Sequence, residues 1–219
     1  MTNFADLTLD ELRLAMAPTV AEAAIFDGWS ADAVAVAAND LAVDPDVAAL
    51  AYPGGAIDMI AAWIETIDAD MAKDLPPEVL AQMQLRERIR SLIQFRLDAV
   101  AGLEEALRRA LAIMAMPQNA ARSLKTGWHS ADIMWRLAGD TATDYNHYTK
   151  RTILAGIYGA TLAVFVGDES KSKADTREFL DRRIEGVMKF EKMKGRLLNS
   201  DRETFSLTRL LGRLRYPAR

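Results

Sequence analysis

Residues 28–55 have the sequence GWSADAVAVAANDLAVDPDVAALAYPGG, and its pattern decides the fold of the N-terminal region. Ser30 is a residue type that caps helix N-termini, so a short helix is expected to follow it. Asp44 followed by Pro45 predicts the start of another short helix, because proline fits the first helical turn. The stretch ends in YPGG at residues 52–55, and this proline and these glycines predict the end of that helix.

Apolar residues at helical spacing extend the prediction in both directions. Residues 7–26 predict an amphipathic helix, which completes three short helices typical of a helix-turn-helix unit. Residues 78–116 predict one long helix, with a break near Gly102 as the alternative. No stretch alternates convincingly between apolar and polar residues, so the expected fold class is all-α. The remaining predicted helices cover residues 57–73, 120–137, the uncharged run 152–167, 176–198 and 200–216.

Composition limits the classes of protein that the chain can represent. Its 219 residues are 50% hydrophobic and 26% charged, which is typical of a globular protein. The absence of cysteine excludes disulfides, thiolate metal sites and cysteine nucleophiles. The longest uncharged run has 16 residues, short of the roughly 20 that span a bilayer. With no signal or transit pattern at its start, the chain is expected in the cytoplasm.

Charge divides the sequence into three regions. Residues 1–60 carry a net charge of −9, residues 61–170 carry −2 and residues 171–219 carry +7. The segment in the position of a DNA-recognition helix, residues 44–51, has two acids and no base. Because DNA binding needs several Lys or Arg contacts to phosphates, we interpret residues 1–60 as a degenerate helix-turn-helix that binds no nucleic acid. The basic tail of residues 171–219 is typical of a protein that contacts an anionic surface.

The end of this basic tail predicts an amphipathic helix over about residues 200–216. Leucines recur there at steps of three and four residues, and arginines surround them. Such a helix can lie in the interface of an anionic membrane, although it could also pack on the protein core. The predicted membrane-binding residues are Phe205, Leu207, Arg209, Leu210, Leu211, Arg213 and Leu214.

Motifs for catalysis are not found. The two histidines, His129 and His147, each lie three residues from an aspartate, which leaves a metal-dependent enzyme open as a hypothesis. However, a di-iron bundle needs Glu-x-x-His motifs, and the sequence has none. It also lacks a nucleophile elbow and a phosphate-binding glycine loop. We expect no catalytic residue, no metal and no cofactor.

One segment combines aromatic side chains with acids and histidines. It runs from Gly127 to Arg151 as GWHSADIMWRLAGDTATDYNHYTKR, a mixture that binding surfaces favour. This segment resembles the signature of the Coq-nine family, the lipid-binding accessory proteins of ubiquinone biosynthesis. Further similarities occur in family order, including YPGG with IDMI at residues 52–60, EALRRA at 105–110 and PQN at 117–119. Together they cover roughly residues 23–183.

The resemblance implies a tetracycline-repressor-like fold whose ligand pocket holds an isoprenoid lipid, within a lipid-binding core of residues 61–170. The implied lipid-binding residues are Met134, Trp135, Ile157, Tyr158 and Leu162. The implied partner-binding residues, which would face the pathway's di-iron hydroxylase, are Asp144, Tyr145, Asn146, His147, Tyr148 and Arg151. His147 stands where many eukaryotic members have tryptophan, so a large apolar contact is replaced by a titratable ring.

The sequence therefore predicts a non-catalytic accessory protein that presents an isoprenoid quinone precursor, or a phospholipid, to the di-iron demethoxyubiquinone hydroxylase. A homodimer on the inner face of the cell membrane is expected. The alternative is a repressor-like transcriptional regulator with an apolar ligand, which would bind DNA in a salt-sensitive way.

Overall fold

The structure is a computed structural model that describes residues 4–142 and 145–200. All the regular elements in these ranges are helices, in agreement with the predicted fold class. The α-helices are α1 (Leu9–Asp27), α2 (Ala31–Asp40), α3 (Pro45–Leu50), α4 (Ala56–Asp74), α5 (Pro77–Leu80), α6 (Leu85–Asp98), α7 (Glu104–Met114), α8 (Ala120–Leu137), α9 (Tyr145–Gly167) and α10 (Ala174–Ser200).

Local capping explains where the first three helices begin. The side chain of Thr8 forms a capping box with Glu11 at the start of α1. The Ser30 hydroxyl accepts a hydrogen bond from the Ala33 amide, and the Asp44 carboxylate accepts one from the Asp46 amide at 2.8 Å. These caps begin α2 and α3 where the sequence predicts them. Short-range interactions therefore fix where these three helices begin.

The N-terminal unit is tied firmly to the helices that follow it. The indole Nε1 of Trp29 donates a 2.9 Å hydrogen bond to the carbonyl oxygen of Ala106, and its ring lies 5.4 Å from that of Trp63. Arg109 donates to the carbonyl oxygen of Phe26 at the end of α1. One cluster of buried apolar residues accordingly extends from α1 through α10.

The structure corrects the prediction of one long helix over residues 78–116. That stretch contains α5, α6 and α7, and the break between α6 and α7 lies at the predicted alternative position. Gly102 has a φ angle of +85°, a left-handed conformation that glycine adopts without steric cost. The chain turns there, and α7 packs against α9 instead of continuing α6.

Two predictions fall outside the described residues. The amphipathic helix over 200–216 is one of them, with its membrane-binding residues Phe205, Leu207, Arg209, Leu210, Leu211, Arg213 and Leu214. The implied partner-binding residue Asp144 is the other. Within residues 4–142 and 145–200, no helix is both long and apolar enough to cross a membrane.

Candidate functional site

A mainly apolar cavity of about 140 Å³ lies between α4, α6, α7, α8 and α9. Apolar and aromatic side chains of α4 and α7 form much of its wall, and four residues of α9 complete the lining. Cavities with such linings are where proteins bind small apolar ligands. The lining residues are Ile60, Trp63, Ile64, Ile67, Arg96, Val100, Leu107, Ala110, Leu111, Met114, Thr126, Gly127, Ser130, Ala155, Tyr158, Gly159 and Leu162.

The five residues predicted to bind lipid are not all brought together. Tyr158 and Leu162 line the 140 Å³ cavity. Trp135 and Ile157 instead line a second apolar pocket of about 50 Å³, which α10 helps to form. Met134 is fully buried in the core and lines neither pocket. A ligand in the larger cavity would therefore contact two of the five.

A buried polar cluster lies in the wall of this cavity. The Arg96 guanidinium is 1% exposed and forms an ion pair with Asp68, which is 3% exposed. The Ser130 hydroxyl donates a 2.7 Å hydrogen bond to the other oxygen of Asp68 and accepts one from Arg96. The arginine also stacks over the ring of Tyr158 at 4.7 Å. Three helices, α4, α6 and α8, are joined by this cluster.

Burial and pairing have opposing effects on these charges. Burial raises the pKa of the Asp68 carboxyl above its ordinary value, whereas Arg96 and Ser130 act to lower it. Burial opposes the charge of Arg96, but Tyr158 and Asp68 outweigh it and raise the pKa of the guanidinium. Arg96 is therefore a permanent cation in the cavity wall.

A second, polar cavity adjoins the first on its outer side. It has a volume of about 360 Å³ and shares the side chains of Ile64 and Thr126 with the apolar cavity. Asp68 reaches this outer cavity, while Arg96 and Ser130 face the inner one. The buried cluster thus forms the boundary between a polar and an apolar compartment. The other residues of the outer cavity are Ala61, Glu65, Arg122, Lys125 and His129.

The junction of α8 and α9 is organised by Arg151. This side chain is 2% exposed and pairs with Asp132 at 2.5 Å and with Asp140 at 3.0 Å. Its Nη1 atom also donates to the carbonyl oxygen of His147. Lys150 forms a second ion pair with Asp140, at 2.6 Å. The resemblance implies that Arg151 binds a partner, whereas in the structure its side chain is buried and its nitrogens donate to Asp132, Asp140 and the carbonyl oxygen of His147.

An aromatic cluster lies at the start of α9. The rings of His147 and Tyr148 are 5.2 Å apart, and Trp128 of α8 lies 5.9 Å from Tyr148. Tyr148 is 61% exposed, and Asn146 is also exposed. The His147 Nδ1 lies 3.0 Å from the carbonyl oxygen of Ala142, and because a carbonyl only accepts, this nitrogen donates. Of the other predicted partner-binding residues, Asp144 and the side chain of Tyr145 lie outside the described part.

Comparison with known proteins identifies the family. The COQ9 family model matches residues 120–191, which include α8, the aromatic cluster, all of α9 and most of α10. A rat protein named "Ubiquinone biosynthesis protein COQ9, mitochondrial" is 34% identical over 168 residues. The match covers 74% of this chain and 54% of the rat protein. This chain belongs to the COQ9 family.

A human relative gives the same family, and a solved structure shows a similar fold. The human COQ9 protein is 32% identical over 168 residues, covering 74% of this chain and 52% of the human protein. The chain spans about half the length of the curated relatives it matches. A TetR transcriptional regulator from Nitrosomonas europaea has a similar structure, with a TM-score of 0.63 and 25% sequence identity. That match covers 80% of this chain and 97% of the regulator, so this COQ9-family chain has the tetracycline-repressor-type fold that the sequence predicts.

The metal hypothesis involves His129 with Asp132 and His147 with Asp144, and Asp144 lies outside the described residues. Among the described residues, no three His, Asp or Glu side chains come close enough together to hold a metal ion. Both oxygens of Asp132 are engaged by arginines, Arg136 and Arg151.

Sequence reasoning missed the polar cluster of Asp68, Arg96 and Ser130. A signal for it exists in the sequence, because Arg96 occupies a position in the apolar stripe formed by Leu92, Ile93 and Leu97. A charged residue on an apolar helix face indicates either a buried pair or a binding site.

Proposed function

We propose that this COQ9-family chain is a non-catalytic, lipid-binding accessory protein of ubiquinone biosynthesis. It would take an isoprenoid quinone precursor from a membrane and present it to the di-iron demethoxyubiquinone hydroxylase. The single observation that carries this proposal is the apolar cavity in a chain whose sequence places it in the COQ9 family. Curated relatives are named for ubiquinone biosynthesis, which supports the pathway.

The size of the cavity limits what it can hold. An engineered cavity of roughly 150 Å³ binds benzene, so 140 Å³ accommodates one six-membered ring or a short part of a prenyl chain. Removing such a group from water contributes roughly 25 cal/mol for each Å² of apolar surface. The cavity therefore takes up one end of a long lipid, and the rest of the lipid lies outside it.

The aromatic cluster at the start of α9 supports the proposal of a partner surface. Exposed aromatic side chains near the centre of a surface are those that contribute most to protein binding. Tyr148 is exposed beside Trp128, and Arg151 fixes the backbone at His147 beneath them. A rigid surface loses less conformational entropy on binding, which favours a stable complex with the hydroxylase.

We further propose that the protein is a homodimer that attaches peripherally to the cytoplasmic, inner face of the cell membrane through residues 200–216. The +7 charge of residues 171–219 supports attraction to the anionic lipids of that membrane surface.

The structural likeness to a TetR regulator favours a repressor as the second candidate. The net charge of −9 over residues 1–60 argues against it, because phosphate contacts need Lys or Arg.

A reconstituted reaction tests the accessory role. Purified hydroxylase is mixed with liposomes that contain the demethoxyquinone, and the hydroxylated product is measured with and without this chain. We expect the chain to accelerate product formation, and the variant Tyr148→Ala to lose most of that effect. Phe26→Ala is a suitable control, since Phe26 is an aromatic residue that is 82% exposed on another helix. No acceleration by the wild-type chain would overturn the proposal.

A further inference from the structure

A groove of about 430 Å³ lies on the N-terminal unit, between α2, α3 and the start of α4. Its floor is apolar and buried, and its rim consists largely of small side chains that leave the floor accessible. The floor residues are Trp29, Val34, Tyr52 and Met59, each at most 6% exposed. The rim residues are Ser30, Ala31, Ala35, Pro45, Ala49, Gly55 and Ala56. The groove shares no residue with the 140 Å³ cavity, so it is a separate binding surface.

The surface around the groove is acidic. Residues 14–72, which include every residue that lines the groove, contain ten acids and no Lys or Arg. Four of these acids, in α2, in α3 or at the cap between them, are exposed and form no ion pair with a described residue. They are Asp32, Asp40, Asp44 and Asp46. A segment that complements this surface carries apolar side chains together with several positive charges.

One segment of this chain has the matching chemistry. Residues 204–219, which lie outside the described part, contain four arginines and no acid. Their leucines recur at i, i+3, i+4 and i+7, which is the spacing with which an amphipathic helix places its apolar side in a groove. An apolar stripe left in water promotes association, so this segment requires a cover wherever no membrane provides one.

The direction of α10 favours a second copy of the chain as the source of this segment. Lys173, just before α10, forms an ion pair with Glu104 at the start of α7, and α7 accepts the hydrogen bond from Trp29. Further along α10, Ile184 lies beside Leu85, the first residue of α6. Because α6 returns antiparallel to α4 after the short connection through α5, Leu85 lies toward the end of α4 that is remote from the groove. The helix α10 is thus directed away from the groove of its own chain.

We propose that the groove between α2, α3 and α4 binds residues 204–219 of a second copy of this chain. The leucines lie against the apolar floor, and the arginines face the exposed acids. The inference goes beyond the proposed function, since it needs no bound lipid and no hydroxylase. It assigns the degenerate helix-turn-helix to protein association in copies whose C-terminal segment is not attached to a membrane.

Photochemical crosslinking of the full chain tests which surface and which copy the segment contacts. A photoreactive benzoylphenylalanine replaces Phe205, and unlabelled chain is incubated with isotope-labelled chain without membranes. We expect crosslinks to peptides within residues 28–59, with both isotopes present in one crosslinked pair. Crosslinks confined to one isotope would mean that the segment contacts its own chain. That result, crosslinks only to other surfaces, or the absence of crosslinks would overturn the inference.

Binding of a fluorescently labelled peptide of residues 204–219 to the full chain tests the chemistry of the contact. Ala49 lies on the exposed rim, so Ala49→Arg places a cation in the groove without removing a buried side chain. Because like charges that face each other disfavour association, this variant should bind the peptide about tenfold or more weakly. As a matched control, Ala121→Arg adds the same charge on the exposed side of α8 and should keep the wild-type affinity.

A peptide of the same composition with its leucines out of helical register separates docking in the groove from general charge attraction. We expect it to bind about tenfold or more weakly than the native peptide, because only the native order presents one apolar stripe. Equal binding of the two peptides, wild-type affinity in Ala49→Arg, or no binding of the native peptide would overturn the inference. The lipid cavity takes no part in these measurements, so the proposed function is tested separately.

Discussion

A larger side chain at Ala110 of α7 should fill part of the cavity and displace its ligand. Ala110 lines the cavity and is 2% exposed. Replacing it by leucine adds three carbon atoms to a space of about 140 Å³. Since a cavity of roughly 150 Å³ accepts the six carbons of benzene, three carbons fit without displacing the wall.

The stability of the Ala110→Leu variant follows from that fit. Burying three carbons contributes about 2 kcal/mol at roughly 0.8 kcal/mol for each, so the lipid-free protein should gain free energy of unfolding by up to that amount. A well-packed site would behave in the opposite way, because overpacking typically costs about 1–3 kcal/mol. An increase in the free energy of unfolding therefore indicates that the space is empty, and a decrease indicates that it is already packed.

Two measurements on the same preparations check this prediction. Urea unfolding of the delipidated variant gives the stability change, and mass spectrometry of organic extracts gives the lipid bound per chain. We expect higher or unchanged stability together with the loss of most of the lipid. Ala121→Leu, on the exposed side of α8, is the matched control and should alter neither quantity. A folded Ala110→Leu protein that retains the wild-type lipid content would refute the reasoning.

Three further predictions concern other parts of the chain. Burial opposes the charge of Asp168, but hydrogen bonds from Ser170 and Thr176 outweigh it and hold the pKa of Asp168 well below its ordinary value. The ionised Asp168 should therefore stabilise the folded protein above about pH 4, and this stabilisation should be lost as the pH falls further. In acid titrations monitored by circular dichroism, the Asp168→Asn variant should lose less stability between neutral and acid pH than the wild type does. Arg151→Ala removes a buried cation that binds two half-buried carboxylates, Asp132 and Asp140, which keep Arg136 and Lys150 as their remaining partners. Thermal and urea unfolding should therefore show a loss of about 2 kcal/mol, the value of hydrogen bonds to a charged group, with weaker hydroxylase binding in a pull-down; wild-type stability would contradict the supporting role. Deleting residues 200–219 should abolish co-sedimentation with anionic liposomes without changing the helical circular dichroism signal, and unchanged sedimentation would exclude a membrane role for that segment.

The local features of the fold could be predicted from the sequence. Ser30 and Asp44 cap the helices that follow them, and both act on amides no more than three residues away. The break between α6 and α7 depends on one glycine, Gly102, whose φ angle of +85° cannot be read from its letter alone. A glycine inside a helical pattern is often tolerated, which is why a continuous helix was the first expectation.

The candidate site could be predicted only in part. Tyr158 and Leu162 were implied by a fold that turns their helix inward, and both line the 140 Å³ cavity. The cluster of Asp68, Arg96 and Ser130 joins residues 28 to 62 positions apart, so it depends on how three helices pack and not on any local pattern. The resemblance places Trp135 in the same pocket as Tyr158, whereas the structure places it in a separate pocket beside α10.

The most direct test of a lipid-carrying COQ9-family protein is its lipid content. The full chain is purified without detergent, extracted into organic solvent and examined by mass spectrometry against the protein concentration. We predict about one isoprenoid quinone, or quinone precursor, for each apolar cavity. A preparation that is empty, or that yields only phospholipid, would contradict the account.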